Sequence, residues 1–286
     1  MQNYLGLMRR VLEHGEDRDD RTGRGTRARF GTNRDFDLAG GFPAVTTKRL
    51  AFRQVAAELR CFLRGYDTLE QFHSVGCTIW GANGSDPRWT ARLPEGGYAS
   101  DSGYLGPVYG VAWRRWSAEG KAAVDQLRNA IETLRRDPWS RRAVVTAWNP
   151  YWVDAVCLPP CHTMFQLSLR RERPRREVEF RLDVGVTMRS VDVFLGMPFD
   201  VASYALLCHI CARALGARPG RLSMWFGDTH VYHNHLDQAQ EQLRRGPKAR
   251  PTLALEPDAS ADFFHPDMAS LRDYDPHPAI AAQMNV

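Results

Sequence analysis

The chain has 286 residues, 25% of them charged and 43% hydrophobic, with a formal net charge of +5. That balance is ordinary for a soluble globular protein, and no repeat or low-complexity tract points elsewhere. It lacks the long lysine tract or basic tail of a chain built for nucleic acid, so the basic excess suggests an anionic partner only in general terms.

In chain order, Met1 to Glu16 carries no apolar signal core. Its apolar residues Tyr4, Leu5, Met8, Val11 and Leu12 recur at helical spacing. Ala51 to Leu63 predicts an amphipathic helix on Phe52, Val55, Ala56, Leu59, Phe62 and Leu63, ending near Gly65. Val124 to Leu134 predicts another. Arg142 to Trp148 is expected as a buried strand. Val178 to Met188 alternates apolar and mostly polar residues and is the clearest strand. Thr163 to Leu169 is expected to pair with it, the Arg-rich run Arg170 to Arg176 forming the hairpin loop. Val201 to Leu215 is apolar almost all round, as a buried central helix would be, and His209 and Arg213 make it no membrane span. Leu222 to Phe226 predicts a further strand. Helices mixed irregularly with strands indicate an α+β fold, and with no linker or charge shift the expectation is one domain over 1–286. Six cysteines without framework spacing suggest reduced thiols in a cytoplasmic setting.

Three clusters could carry chemistry. Leu158-Pro-Pro-Cys161-His162 places a cysteine beside prolines at the start of an expected strand. There it could be a thiolate nucleophile, although a buried inert cysteine is the commoner fate. A metal site from Cys157, Cys161 and His162 lacks convincing further ligands. Cys208 and Cys211 fall in the apolar helix and are expected in the core. Arginines at Asp20-Arg21-Thr-Gly, Ser140-Arg141-Arg142 and Met188-Arg189-Ser190 offer planar forks suited to phosphate, though any one could be a surface residue. Gly227 to His235 holds three histidines that could bind metal, or, through His230 and Tyr232, a sugar hydroxyl. Spacing alone leaves that open.

The chain resembles the thymidylate synthase family over nearly its full length. The resemblance rests on Asp20-Arg-Thr-Gly, Phe42-Pro-Ala-Val-Thr-Thr-Lys-Arg49, Thr78-Ile-Trp80, Leu105-Gly-Pro-Val-Tyr-Gly110, Ser140-Arg-Arg142, Pro160-Cys-His162, Arg189-Ser-Val-Asp-Val-Phe-Leu-Gly-Met-Pro-Phe199, Gly227-Asp-Thr-His-Val-Tyr232 and Tyr274-Asp-Pro-His-Pro278. It implies a mixed sheet packed with helices and a sheet-mediated homodimer whose sites are shared. It implies 5,10-methylenetetrahydrofolate as co-substrate, a pyrimidine nucleoside monophosphate as acceptor, and no metal. Neither a membrane nor nucleic acid is an expected partner.

The resemblance also implies roles. Cys161 would add to C6 of the base, turning C5 into an enamine-like carbon that attacks the one-carbon unit. Glu58 would order water and move protons, Tyr109 would assist proton loss at C5, and His162 and Asp200 would complete the catalytic set. Arg21, Arg189 and Ser190 would hold phosphate, with Arg141 and Arg142 reaching in from the partner subunit. His230 and Tyr232 would contact the sugar, and Gln166 would belong to the nucleotide site. Ile79, Trp80, Asp192, Leu195, Gly196 and Phe199 would line the folate site, Asp192 serving the nucleotide as well.

Departures from the family pattern carry the finer expectation. Asp200 stands where thymidylate synthases place an asparagine that donates to O4 of uracil and accepts from N3–H. An aspartate accepts from the N4 amine of cytosine and, if a proton is shared, can satisfy N3. Facing uracil it would set acceptor against acceptor. This replacement is similar to that of deoxycytidylate hydroxymethylases, which add water to the methylene intermediate. Asn83 occupies the place of a second tryptophan, and the tail Ala281-Ala-Gln-Met-Asn-Val286 is unlike the usual small apolar ending. Both regions cover the folate in the family. The expected activity is dCMP 5-hydroxymethylation. The alternatives are reductive methylation of dCMP or dUMP and, in another class, a silent nucleotide- or RNA-binding relative. Ser190 and the Arg141-Arg142 pair hint at a deoxynucleotide. The 84–103 segment is expanded and has no role assigned by the resemblance.

Overall fold

The computed structural model describes residues 1–93, 103–117, 121–172 and 179–285. Its elements run α1 (Gln2–His14), β1 (Glu16–Arg18), β2 (Thr26–Asp37) and α2 (Phe52–Arg64), followed by the short helices α3 (Leu69–Ser74), α4 (Gly81–Gly84), α5 (Pro87–Thr90) and α6 (Tyr109–Arg114). After these come α7 (Gln126–Arg136), β3 (Val144–Thr146), β4 (His162–Arg171), β5 (Phe180–Asp192), α8 (Gly196–Ala214), β6 (Arg218–Tyr232), α9 (Leu236–Arg244), β7 (Thr252–Leu255) and β8 (Ala269–Arg272). The fold is α+β, as the irregular mixture of elements indicates.

Six strands form one mixed sheet in the order β1-β2-β6-β5-β4-β3, and β7 pairs with β8 apart from it. Among the described strands only β5 and β6 run parallel. That pairing needs a crossover, and α8 supplies it, packing on both strands it connects. The inward residues Leu182, Val184, Val186 and Met188 of β5 and Leu222, Met224 and Phe226 of β6 are all buried. Each large side chain removed from water there contributes roughly 1.5–3 kcal/mol. The opposite face carries Asp183, Gly185, Thr187, Ser223 and the exposed pair Phe30 and Trp225, whose rings meet edge to face at 6.1 Å.

Helix α2 ends where Gly65 takes a left-handed φ of 68°, the conformation glycine adopts without steric cost. In α8, residues from Met197 to Ala212 are buried almost throughout, so this helix forms the floor under the sheet. Among the described residues no helix is long and apolar enough to cross a membrane.

Several boundaries move. The strand expected at Arg142–Trp148 shrinks to Val144–Thr146, at the edge of the sheet, with Val144 exposed and Val145 buried, so it is not buried on both faces. The helix expected from Val124 starts at Gln126, because Val124 pairs with Trp116 in an isolated bridge and Asp125 caps the helix by accepting from the Arg128 N–H. The long hairpin β4–β5 forms, but Arg170 and Arg171, expected in its loop, continue β4 opposite Arg181 and Phe180, and Glu172 N–H still donates to Glu179 O at its open end. The loop itself, at 173–178, lies outside the described residues, as do Val178, Val286 and 94–102 of the expanded segment.

Candidate active site

Strand β5 carries the site past the sheet edge. Its last residues, Met188 to Asp192, meet the start of β4, the N-terminal turn of α8 and the end of β6 around a cleft of about 480 Å³. That volume suits a nucleotide-sized or drug-sized ligand. Arg21, Glu58, Ile79, Trp80, Tyr109, Cys161, His162, Arg189, Ser190, Asp192, Leu195, Gly196, Phe199, Asp200, His230 and Tyr232 all line it.

Cys161 sits on a turn that Arg189 fastens. Arg189 Nε donates to Pro160 O and Nη2 to Pro159 O, each at 2.8 Å, and Nη2 lies 3.8 Å from Cys161 Sγ. The prolines explain the arrangement: their carbonyls remain free to accept while their rings hold the turn stiff. The Cys161 N–H donates to Tyr109 Oη at 2.7 Å. Burial pushes the Cys161 thiol up, Asp200 adds to that, and the Arg189 and Arg21 guanidiniums oppose it. The resting form is therefore a thiol, with cations in place to support the thiolate when it forms.

Behind Cys161 lies a buried group of polar side chains. Trp80 Nε1 donates to Glu58 Oε1 at 2.7 Å. Burial raises Glu58 to about 7, against the Trp80 hydrogen bond. A carboxyl poised near neutral pH can move protons in either direction. His162 Nε2 lies 2.9 Å from Asp200 Oδ1. The His162 ring stacks on Tyr109 at 4.7 Å and meets Tyr204 edge-on at 5.3 Å.

On the other wall, His230 Nδ1 bonds Asp228 Oδ1 at 2.7 Å, and the His230 and Tyr232 rings meet at 5.0 Å. Arg21 is presented by a turn in which the Asp20 carboxylate accepts from the N–H groups of Thr22, Arg24 and Gly25. Asp192 Oδ1 accepts from the Phe194 and Leu195 N–H groups, fixing the entry to α8. Burial, with Asp192 next, pushes the Tyr232 hydroxyl up to about 12.

The three histidines of 227–235 do not converge. His230 goes to Asp228, His233 to Asp17 and His235 to the Gln283 carbonyl. Among the described residues no three His, Cys, Asp or Glu side chains are grouped to hold a metal. The third wall is apolar, from Ile79, Trp80, Leu195 and Phe199, and the C-terminal tail closes it with Ala282, Met284 and Asn285. The tail is tied down by His235 Nε2 to Gln283 O at 2.8 Å and by reciprocal amide bonds between Asn234 and Asn285 at 3.1 and 3.2 Å. Asn83 also lines this wall.

Arg141, Arg142 and Gln166 are not brought into the cleft of their own chain. Arg141 and Arg142 are exposed, and Gln166 Nε2 donates to Arg141 O at 2.9 Å on the β3–β4 side of the sheet. Tyr204 escapes sequence reasoning. It is buried in α8 one turn beyond Asp200, and its hydroxyl has no hydrogen-bond partner among the described residues. A tyrosine four residues after an aspartate in an otherwise apolar helix was the available signal, since buried hydroxyls seek partners.

A family model described as thymidylate synthase matches residues 2–286. The chain belongs to the thymidylate synthase family, whose members use methylenetetrahydrofolate as co-substrate to transfer a one-carbon unit to C5 of a pyrimidine nucleotide.

Proposed function

We propose that this folate-dependent one-carbon transferase is a deoxycytidylate 5-hydroxymethyltransferase, converting dCMP, methylenetetrahydrofolate and water into 5-hydroxymethyl-dCMP and tetrahydrofolate. The observation that carries the reading is Asp200. Its carboxylate lines the cleft with Oδ1 beside His162, while Oδ2 has no hydrogen-bond partner among the described residues and lies 3.7 Å from where a Cβ on Gly196 would stand. An acceptor in that place suits the N4 amine of cytosine and opposes O4 of uracil.

In this reading Cys161 Sγ forms a bond to C6, and the electron pair is placed on C5. Arg189 and Arg21 offset the charge of the thiolate and hold the phosphate with Ser190. His230 and Tyr232 receive the sugar. Tyr109, already at the Cys161 backbone, stands by the C5 proton, and Glu58 accepts or returns protons near neutrality. The apolar wall of Ile79, Trp80, Leu195 and Phe199 with Gly196 fits a flat ring system, so these residues would hold the folate, which supplies the methylene carbon. Loss of the C5 proton with expulsion of tetrahydrofolate leaves an exocyclic methylene carbon that water attacks, and departure of the Cys161 thiolate from C6 then restores the C5–C6 double bond and frees the product. Asn83 and Asn285 place amides on that wall, where water must be admitted.

The same reading makes the protein a homodimer through the outer sheet face bearing Phe30 and Trp225. Arg141 and Arg142, outside their own cleft, would reach the partner's phosphate site, as would Gln166 the shared nucleotide site. Reductive methylation of dCMP or dUMP is the second reading, favoured by Met284 and Trp80, which cover the cleft with apolar surface that would shield a hydride. The test is a competition among dCMP, CMP and dUMP with methylenetetrahydrofolate, the products identified by mass. Hydroxymethylated dCMP as the dominant product is expected. Dominant methylated dUMP would overturn the base and the reaction together.

A further inference from the structure

Asp200 can discriminate between bases only if something fixes which way its oxygens point and keeps it an acceptor. We propose that His162 does this. As a neutral imidazole with its proton on Nε2, it is the positioning residue that holds Asp200 as an oriented, acceptor-only carboxylate and thereby makes cytosine the base read there. The inference rests on the cytosine assignment above.

Three observations carry it. First, His162 Nε2 is 2.9 Å from Asp200 Oδ1, and this is the hydrogen bond Asp200 makes among the described residues. The donation occupies a lone pair of Oδ1 and leaves Oδ2 for the ligand. Second, His162 Nδ1 is buried with no hydrogen-bond partner among the described residues. A proton there would be a buried donor with no acceptor among the described residues, which costs a desolvation penalty. A bare Nδ1 costs less, so the geometry points to the Nε2–H tautomer and not to the imidazolium. Third, the ring cannot turn freely. Tyr109 stacks on it with 29° between planes, and Tyr204 abuts it edge-on. A flipped ring would face Asp200 with a carbon and forfeit the bond.

The groups facing this pair come from every element around it: Glu58 from α2, Tyr109 from α6, Cys161 before β4, and Tyr204 from α8. From β5 the cation beside them is Arg189, whose guanidinium is held by Pro159 O and Pro160 O and lies 3.8 Å from Cys161 Sγ. Asp200 itself is bonded by the His162 donor, and with no guanidinium hydrogen-bonded to it the carboxylate retains its acceptor strength. It therefore favours a base that presents donors along its whole edge. Cytosine does so when its N3 takes a proton, offering N3–H and N4–H to one carboxylate. Uracil cannot, because O4 remains an acceptor.

The test uses the full-length enzyme and three forms, wild type, His162→Leu and His162→Gln. The readout is the ratio of kcat/KM for dCMP to that for dUMP, which general damage to the site would not move selectively. His162→Leu should lower the ratio at least tenfold, and His162→Gln, whose amide can still donate, should recover much of it. Nitrogen NMR of wild-type protein carrying labelled histidine should show His162 with a bare Nδ1 and a protonated Nε2 at neutral pH. If the wild type prefers dCMP but the ratio is unchanged in His162→Leu, the inference is overturned while the cytosine reading stands. Two protonated nitrogens at neutral pH would overturn it as well, and that spectrum decides the matter if His162→Leu fails to fold. A wild type that prefers dUMP removes the cytosine reading itself, and this inference with it.

Discussion

Asp200→Asn should convert a cytosine reader into a uracil reader. On the proposed reading, a uracil nucleotide in the wild type would set O4 against Asp200 Oδ2, two acceptors in a site where Asp200 is only 15% exposed. Such an unmatched buried polar contact costs about 1–3 kcal/mol. The substitution removes that penalty from uracil and imposes a comparable one on cytosine. The direction follows from His162 as proposed. Its Nε2–H at 2.9 Å would be taken by the amide carbonyl, turning the NH₂ group to the base, where it donates to O4. Both changes push the same way, so the ratio of kcat/KM between the two nucleotides should shift on the order of 10²–10⁴. The assay is direct competition between dCMP and dUMP, run twice with tritium at C5 of one nucleotide and then of the other, the released tritium giving each rate for both variants. An unchanged ratio would show that Asp200 does not select the base. The cytosine assignment would then fall even if Cys161 chemistry survived.

Cys161→Ala should abolish tritium release from C5 while leaving nucleotide binding, measured by calorimetry, largely intact; near-normal release would end the covalent mechanism. Mixing inactive Cys161→Ala with inactive Arg142→Ala and allowing subunit exchange should restore part of the activity, because one hybrid site carries neither lesion. No recovery after verified exchange would refute the shared site. Glu58 has a folded pKa of about 7 against 4.5 unfolded. The folded state thus holds an extra proton between those values, and stability falls as pH rises through that window by about 3 kcal/mol. Glu58→Gln should remove that slope in urea unfolding measured from pH 5 to 8; identical slopes in the two proteins would contradict the burial argument.

What was legible in the sequence follows from how each element is stabilised. Helix α8 and the hairpin β4–β5 bury continuous apolar patterns, and both were readable. Strand β2 was not. Only Thr26, Ala28 and Phe36 of its residues are buried, and its register is set by the ladder to β6. Strand β6 was found only at Leu222–Phe226 because Gly220 and Gly227 interrupt the pattern. Those glycines mark close approach instead of a strand end: a Cβ on Gly227 would come within 2.5 Å of Arg189 O, the point where β5 delivers its arginine to the cleft. The Cys161 and Arg189 motifs could be quoted from the sequence. The bonds that make them a site join residues far apart in the chain, 38 positions for His162 and Asp200 and 22 for Trp80 and Glu58, and no local pattern announces such pairs.

The central claim is that water, and not hydride, completes the transfer to dCMP. Turnover of dCMP with methylenetetrahydrofolate in ¹⁸O-labelled water tests it in one tube. The expected product is 5-hydroxymethyl-dCMP whose new hydroxyl carries the label, with no dihydrofolate absorbance appearing. A methylated, unlabelled nucleotide formed with one dihydrofolate per turnover would contradict it.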